Sequence, residues 1–290
     1  MNCVRRLNNP TFAVIIDRNP SEERELTAIS LMTDFGIKDG TVGVMKGVIW
    51  GISPMAQISD LSHMVQAQNI REAAHIFARS VLYFPKGSVH VVVVDPGVGT
   101  KRRPMAAKIG DWYYVGPDNG TITGLLERAE ISGWRTEFVE LNRIKYWLPV
   151  VSFVFHGRDI FSPVAAHLAN GIPLGDLGTS FTDPVRIELP KPSRIENGWR
   201  GEVVHIDHFG NISANIRTEH LDSALENKDK ITVRVLNNEI KGMVNTFGER
   251  PVGELIALMG STGNMIISMV NGNAVQKLGV TVGDEILVTI

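Results

Sequence analysis

The sequence predicts an α/β domain with a mostly parallel sheet over residues 28–190, followed by a smaller all-β, barrel-like domain over residues 196–290. Three observations carry this. Up to about Pro184, short apolar runs alternate with stretches of helical period. One run, "VVVVDPGVGTKRR" from Val91 to Arg103, opens with four β-branched residues, as suits a strand covered on both faces. Beyond the Pro- and charge-rich "LPKPSRIENG", which reads as a linker, the texture changes to alternating strands divided by Asn and Gly turns.

The elements follow in order. "ISLMTDFG" reads as a strand and its turn, and "VGVMKGVIWGI" as a helix with Val44, Val48 and Ile49 on one side. "AQISDLS" is a second strand, "NIREAAHIFARSVLYF" an amphipathic helix and "SVHVVVVD" a third strand. In the second part, "RGEVVHIDHFGNISANI", "KITVRVLNNEIKGMVNTF", "GELIALMG", "NMIISMVNG" and "VGDEILVTI" supply the β strands. Residues 1–27, with "RNPSEERE", read as a loose N-terminal extension.

Composition narrows the function classes. The 290 residues are 43% apolar and 21% charged, as in a globular protein with a substantial core. Twenty-nine basic against 31 acidic residues give a net charge of −2, which offers nucleic acid no electrostatic footing. A single cysteine, Cys3, excludes an internal disulfide and a Cys-based zinc site and points to a reducing cytoplasm. "FAVII" is too short for a membrane span or a signal-peptide core.

In open α/β sheets, ligands sit beyond the carboxyl ends of the strands. Here "MTDFG", "DPGVG" and "VGPDNG" each put Asp and Gly just after an apolar run, so Asp34, Asp95 and Asp118 belong to one rim. Singly, each is equally a turn former or a helix cap. In "FHGRD", Asp159 reads as a helix N-cap paired with Arg158, whereas no apolar periodicity accounts for His156. His205, Asp207 and His208 of "HIDHFGN" lack a third histidine at ligand spacing and read as strand-surface residues rather than a metal site.

In order, "MTDFG", "ISDLSH", "DPGVGTKRR", "VGPDNG", "FHGRDIFSPVAAHLANG", "IDHFGN" and the C-terminal "GSTGN…NGNA" closely resemble the SAM-dependent fluorinases, chlorinases and SAM hydroxide adenosyltransferases (SAM, S-adenosyl-L-methionine). The resemblance covers residues 28–290. It implies a homotrimer in which SAM lies between one subunit's N-terminal domain and a neighbour's C-terminal domain; from charge and hydropathy, neither membrane nor nucleic acid is expected as partner. The hydroxide-transferring branch resembles this chain in an Asp, Arg and His set, here Asp95, Arg102 and His156. The halogenases place a tyrosine at Asp95 and lack the histidine. What the resemblance implies is hydrolysis of SAM to adenosine and methionine, with no metal or other cofactor; the alternatives are a SAM halogenase and a non-catalytic SAM or adenosine sensor.

The resemblance also implies binding roles. Asp34, next to Phe35, matches the carboxylate that accepts both ribose hydroxyls, and Asp207 the partner of the methionine ammonium. Phe209 and Asn211 match the residues that stack on and hydrogen-bond the adenine, and Ser261 a ligand of the methionine carboxylate. Asp118 and Asn119 of "VGPDNG" are further candidates. Gln68 stands where halogenases stack a tryptophan, Thr41 where relatives often have tyrosine, and "IDHFGN" is one residue shorter than the fluorinase version.

Overall fold

The computed structural model describes residues 27–290, so the predicted extension (Thr27 apart), "FAVII" and Cys3 lie outside the described residues. The first domain is a seven-stranded sheet in the order β2-β1-β3-β5-β4-β6-β7. Its strands are β1 (Ala28–Thr33), β2 (Gln57–Ser62), β3 (Val89–Val93), β4 (Pro104–Ile109), β5 (Trp112–Pro117), β6 (Thr136–Glu140) and β7 (Thr179–Phe181). β2, β1, β3 and β5 run parallel, and the other pairings are antiparallel.

The valine run lies at the centre, flanked by β1 and β5, and all of β3 is buried. Val91 and Val93 pack with Met45 of α1 (Thr41–Ile52) and Val164 of α4 (Ser162–Ala169). Val92 and Val94 pack on the other face with Phe77 of α2 (Ile70–Ser80) and Leu125 of α3 (Thr123–Ser132). Each such side chain stabilises the fold by roughly 1.5–3 kcal/mol. One helix face departs from expectation. α1 buries Val42, Met45 and Ile49, while Val44 is 46% exposed. Both phases of that glycine-rich helix are apolar, and packing against α4 selects one of them.

The second domain holds β8 (Ser193–Ile195), β9 (Gly198–Ile206), β10 (Ile212–Arg217), β11 (Thr232–Val235), β12 (Asn238–Lys241), β13 (Leu255–Met259), β14 (Asn264–Met269) and β15 (Glu285–Thr289). All its pairings are antiparallel, in the order β12-β11-β15-β9-β10-β14-β13, with β8 on β9. The Val244 N–H, just after β12, donates to the Ala257 carbonyl of β13, so the sheet nearly closes into a barrel. β8 lies inside the stretch read as a linker. His205 of β9 is not a surface residue: it stacks on His75 of α2 at 5.4 Å, with its Nδ1 3.8 Å from Glu72. Among the described residues, no helix is long and apolar enough to cross a membrane.

Candidate active site

The parallel strands β1, β3 and β5 deliver their following turns to one rim of the sheet, as the Asp-Gly pattern predicts. Past β3 the chain turns sharply at Asp95 to Thr100, where the Val98 N–H donates to the Asp95 carbonyl at 3.2 Å. Gly99 has φ +75°, and a Cβ there would lie 2.3 Å from the Phe153 carbonyl oxygen, so that turn needs glycine. The turn folds Arg102 back over Asp95. Its Nε donates to both carboxylate oxygens at 3.0 Å, and its Nη2 to Oδ2. The Arg102 and Asp95 side chains are only 9% and 4% exposed, and the guanidinium lies 5.3 Å from the Phe161 ring centroid.

The third member comes from a helix entrance. His156 precedes a π-helical turn, Gly157–Phe161, which runs into α4. Such turns insert one extra residue and recur at functional sites. The Nδ1 of His156 lies 2.8 Å from Nη2 of Arg102. A guanidinium has no acceptor, so Nδ1 accepts and the neutral ring carries its proton on Nε2. Burial, and then the Arg102 charge, hold the His156 pKa below the ordinary imidazole value. The site is thus an ion pair joined to a neutral imidazole, with a carboxylate that can accept from water and an Nε2–H that can donate.

Phe35 borders this cluster, meeting Phe155, next to His156, edge-on at 5.9 Å, and Asp34 precedes it in the turn after β1. The backbone N–H of Gln68 donates to Asp34 Oδ2 at 2.7 Å from a left-handed conformation, φ 65°. Gln68 therefore meets Asp34 through its main chain. Asp159 does not cap the helix. It is fully buried, pairs with Arg158 as expected and accepts the Ser152 N–H at 2.8 Å.

Asp118 and Asn119 are engaged within the chain. Asp118 accepts from Arg103 Nε and from the Val185 N–H, while Asn119 donates to the Val94 carbonyl and accepts from the Thr121 hydroxyl. The two adjacent arginines diverge, Arg102 to Asp95 and Arg103 to Asp118 and Asp183. In the second domain, Asp207 accepts the N–H groups of Phe209 and Asn211 and the Asn211 amide. This braced turn presents the Phe209 ring to solvent, 72% exposed. Ser261 lines a cleft between the domains with Arg79, Tyr83 and His205, away from the Asp95 cluster. Among the described residues, no group of three or more His, Cys, Asp or Glu gathers to hold a metal ion.

Sequence reasoning did not anticipate the π-helical turn, the Phe161 ring under Arg102, or a buried contact of Thr33 with His63. Only the last left a trace in the sequence, as polar residues ending the strands "ISLMT" and "QISDLS".

Comparison with known proteins places this geometry. Residues 29–178 match the SAM hydroxide adenosyltransferase N-terminal domain, and residues 201–287 match the C-terminal domain of the same family. The chain is 40% identical over 267 residues to an (R)-S-adenosyl-L-methionine hydrolase of Salinispora tropica, covering 90% of this chain and 97% of that protein. A fluorinase of Actinoplanes sp. is 29% identical over 68% of this chain and 74% of its own. The crystal structure of an uncharacterized conserved protein from Thermotoga maritima superposes with a TM-score of 0.85 at 38% identity, covering 90% of this chain and all of that one. With both family domains matched in order and the rim residues gathered at the ends of the parallel strands, this chain belongs to the SAM hydroxide adenosyltransferase family.

Proposed function

We propose that this protein hydrolyses SAM to adenosine and L-methionine by attack of water at C5′. The observation that carries this is the Asp95–Arg102–His156 chain at the rim of the sheet. The sulfonium leaves as a neutral thioether, so no general acid is needed and neither metal nor redox cofactor has a task. The site has to hold a water in line with the C5′–S bond and take up its proton. His156 offers no vacant lone pair, because Nδ1 accepts from Arg102 and Nε2 carries the proton. The proton therefore goes to Asp95, while the His156 Nε2–H orients the water. A carboxylate at this position would also repel a halide ion.

The hydrolase relative is named for the (R) epimer at sulfur, and we infer the same preference here. Incubation with each sulfonium epimer in labelled water and chloride should give adenosine and methionine in equal amounts, the label at the 5′ oxygen, and faster turnover of the (R) epimer. Formation of 5′-chloro-5′-deoxyadenosine as the main product would replace hydrolysis with halogenation.

We further propose a homotrimer with the substrate between subunits, in the cytoplasm that the lone cysteine suggests. Val150, Phe153 and Val154 lie beside the site with about four-fifths of their surface exposed, and Phe209 stands exposed on the other domain. A head-to-tail contact would bring one subunit's first-domain rim against the next subunit's Phe209 turn, and three such contacts close a ring. In this arrangement Asp34 and Phe35 hold the ribose end. Asp207, Phe209 and Asn211 of the neighbour hold the methionine and adenine. Mixing inactive Asp34→Ala and Asp207→Ala proteins under subunit exchange should restore part of the activity. No recovery after demonstrated exchange would place the whole site in one subunit.

A further inference from the structure

The polar end of "ISDLSH" takes no part in the chemistry above, yet it is joined to the Asp34 turn from both sides. The Phe35 N–H donates to Thr33 Oγ1 at 3.2 Å. The Thr33 hydroxyl proton is thereby directed away from that amide, toward His63 Nδ1 at 2.9 Å. With Nδ1 accepting, the His63 ring proton sits on Nε2, which lies 3.0 Å from Asp60 Oδ1. The second Asp60 oxygen meets Lys46 Nζ of α1 at 2.7 Å. On the far side of Asp34, the Gly36 N–H donates to the His63 carbonyl at 2.8 Å. His63 thus holds the residue before Asp34 through its ring and the second residue after it through its main chain.

The local strand geometry makes this possible. The β1–β2 pairing shifts register after Leu31, where Leu31 faces Asp60 but Met32 faces Ser62. Irregularities of this kind re-aim side chains near active sites. Thr33 is fully buried and His63 nearly so, so neither side chain is placed to meet a ligand itself. Lys46 holds Asp60 at one end and the Phe35 N–H meets Thr33 at the other, and the residue between the two attachments of His63 is Asp34.

We propose that Thr33 and His63, with Asp60 behind them, are positioning residues that fix the Asp34 carboxylate for the ribose hydroxyls of the substrate. This rests on reading Asp34 as the ribose ligand. A purely structural role in ending two strands would weaken every ligand alike, whereas a positioning role acts only on ligands that carry the diol.

The test is calorimetric titration of the full chain with adenosine and with 2′,3′-dideoxyadenosine. The parent should prefer adenosine, and Asp34→Ala should abolish that preference. Thr33→Val and His63→Ala should each weaken adenosine binding about tenfold, the scale of one lost hydrogen bond, and leave dideoxyadenosine within about twofold. Neither should weaken adenosine further in the Asp34→Ala background. His63→Asn keeps an acceptor near the Nδ1 position and should recover most of the loss. Equal weakening of both ligands, or unchanged adenosine binding, would overturn the proposal. If Asp34→Ala itself kept the preference for adenosine, the ribose reading of Asp34 would fall, and this inference with it.

Discussion

Asp95→Ala is expected to bind SAM nearly as the parent does and to turn it over roughly 10²–10⁴-fold more slowly, the usual contribution of a positioned base. The Asp95 side chain is almost fully enclosed by Arg102 and the turn, and on the proposed reading its oxygens serve the attacking water rather than the bulk of the substrate. Ground-state affinity should therefore survive while the chemical step suffers. His156→Ala should lose turnover in the same way, and the double variant should be little worse than the worse single, because both groups serve one water. The pH profile separates the roles. Turnover requires neutral His156, since protonation would aim an Nδ1–H at a guanidinium. Burial and Arg102 both depress the His156 pKa, so the acid limb of kcat/KM should lie below about 6.5. Arg102→Ala removes the guanidinium that imposes this requirement, so the limb due to His156 should flatten. Parental turnover by Asp95→Ala would reduce "DPGVG" to a turn.

The sheet was legible because its physics is local. Four β-branched residues in a row need cover on both faces, and α1, α4, α2 and α3 provide it. The rim was legible for a related reason: an acid and a glycine directly after three such runs must lie together if the strands are parallel. What failed to show was decided by partners distant in sequence. The phase of α1 depends on α4, more than 100 residues away. Asp118 reads like Asp95 in sequence, yet Arg103 and the Val185 N–H take its carboxylate, and nothing in "VGPDNG" announces either. A π-helical turn adds one residue without disturbing the apolar pattern around it, so "FHGRDIF" read as an ordinary helix start. The residues that brace Asp207 were visible as a motif, but whether Phe209 faces its own chain or a neighbour is a property of assembly that no single-chain pattern encodes.

Acid should destabilise this protein well above the pH at which its carboxylates protonate, and His90 should be a main cause. The ring has no exposed surface, touches Ser30 Oγ through Nδ1 at 2.6 Å, and is enclosed edge-on by Phe77 and Phe84. Nothing there stabilises an imidazolium, and burial pushes the His90 pKa down to about 3. Below the unfolded value of about 6.5, the unfolded chain binds a proton that the folded chain refuses. Unfolding is therefore favoured progressively as pH falls from 6.5 toward 3, and above 6.5 the effect vanishes. At pH 5 the loss from His90 alone is about 2 kcal/mol. His75 is pushed the same way, first by burial and then by Arg79, but it keeps partial contact with water and should contribute less. His90→Gln cannot titrate. It should be less stable than the parent at pH 7.5, for lost packing, and the gap should close by about 2 kcal/mol at pH 5. Denaturant unfolding at the two pH values measures this directly, and a gap that stays constant would mean that the folded protein admits the proton at His90 after all.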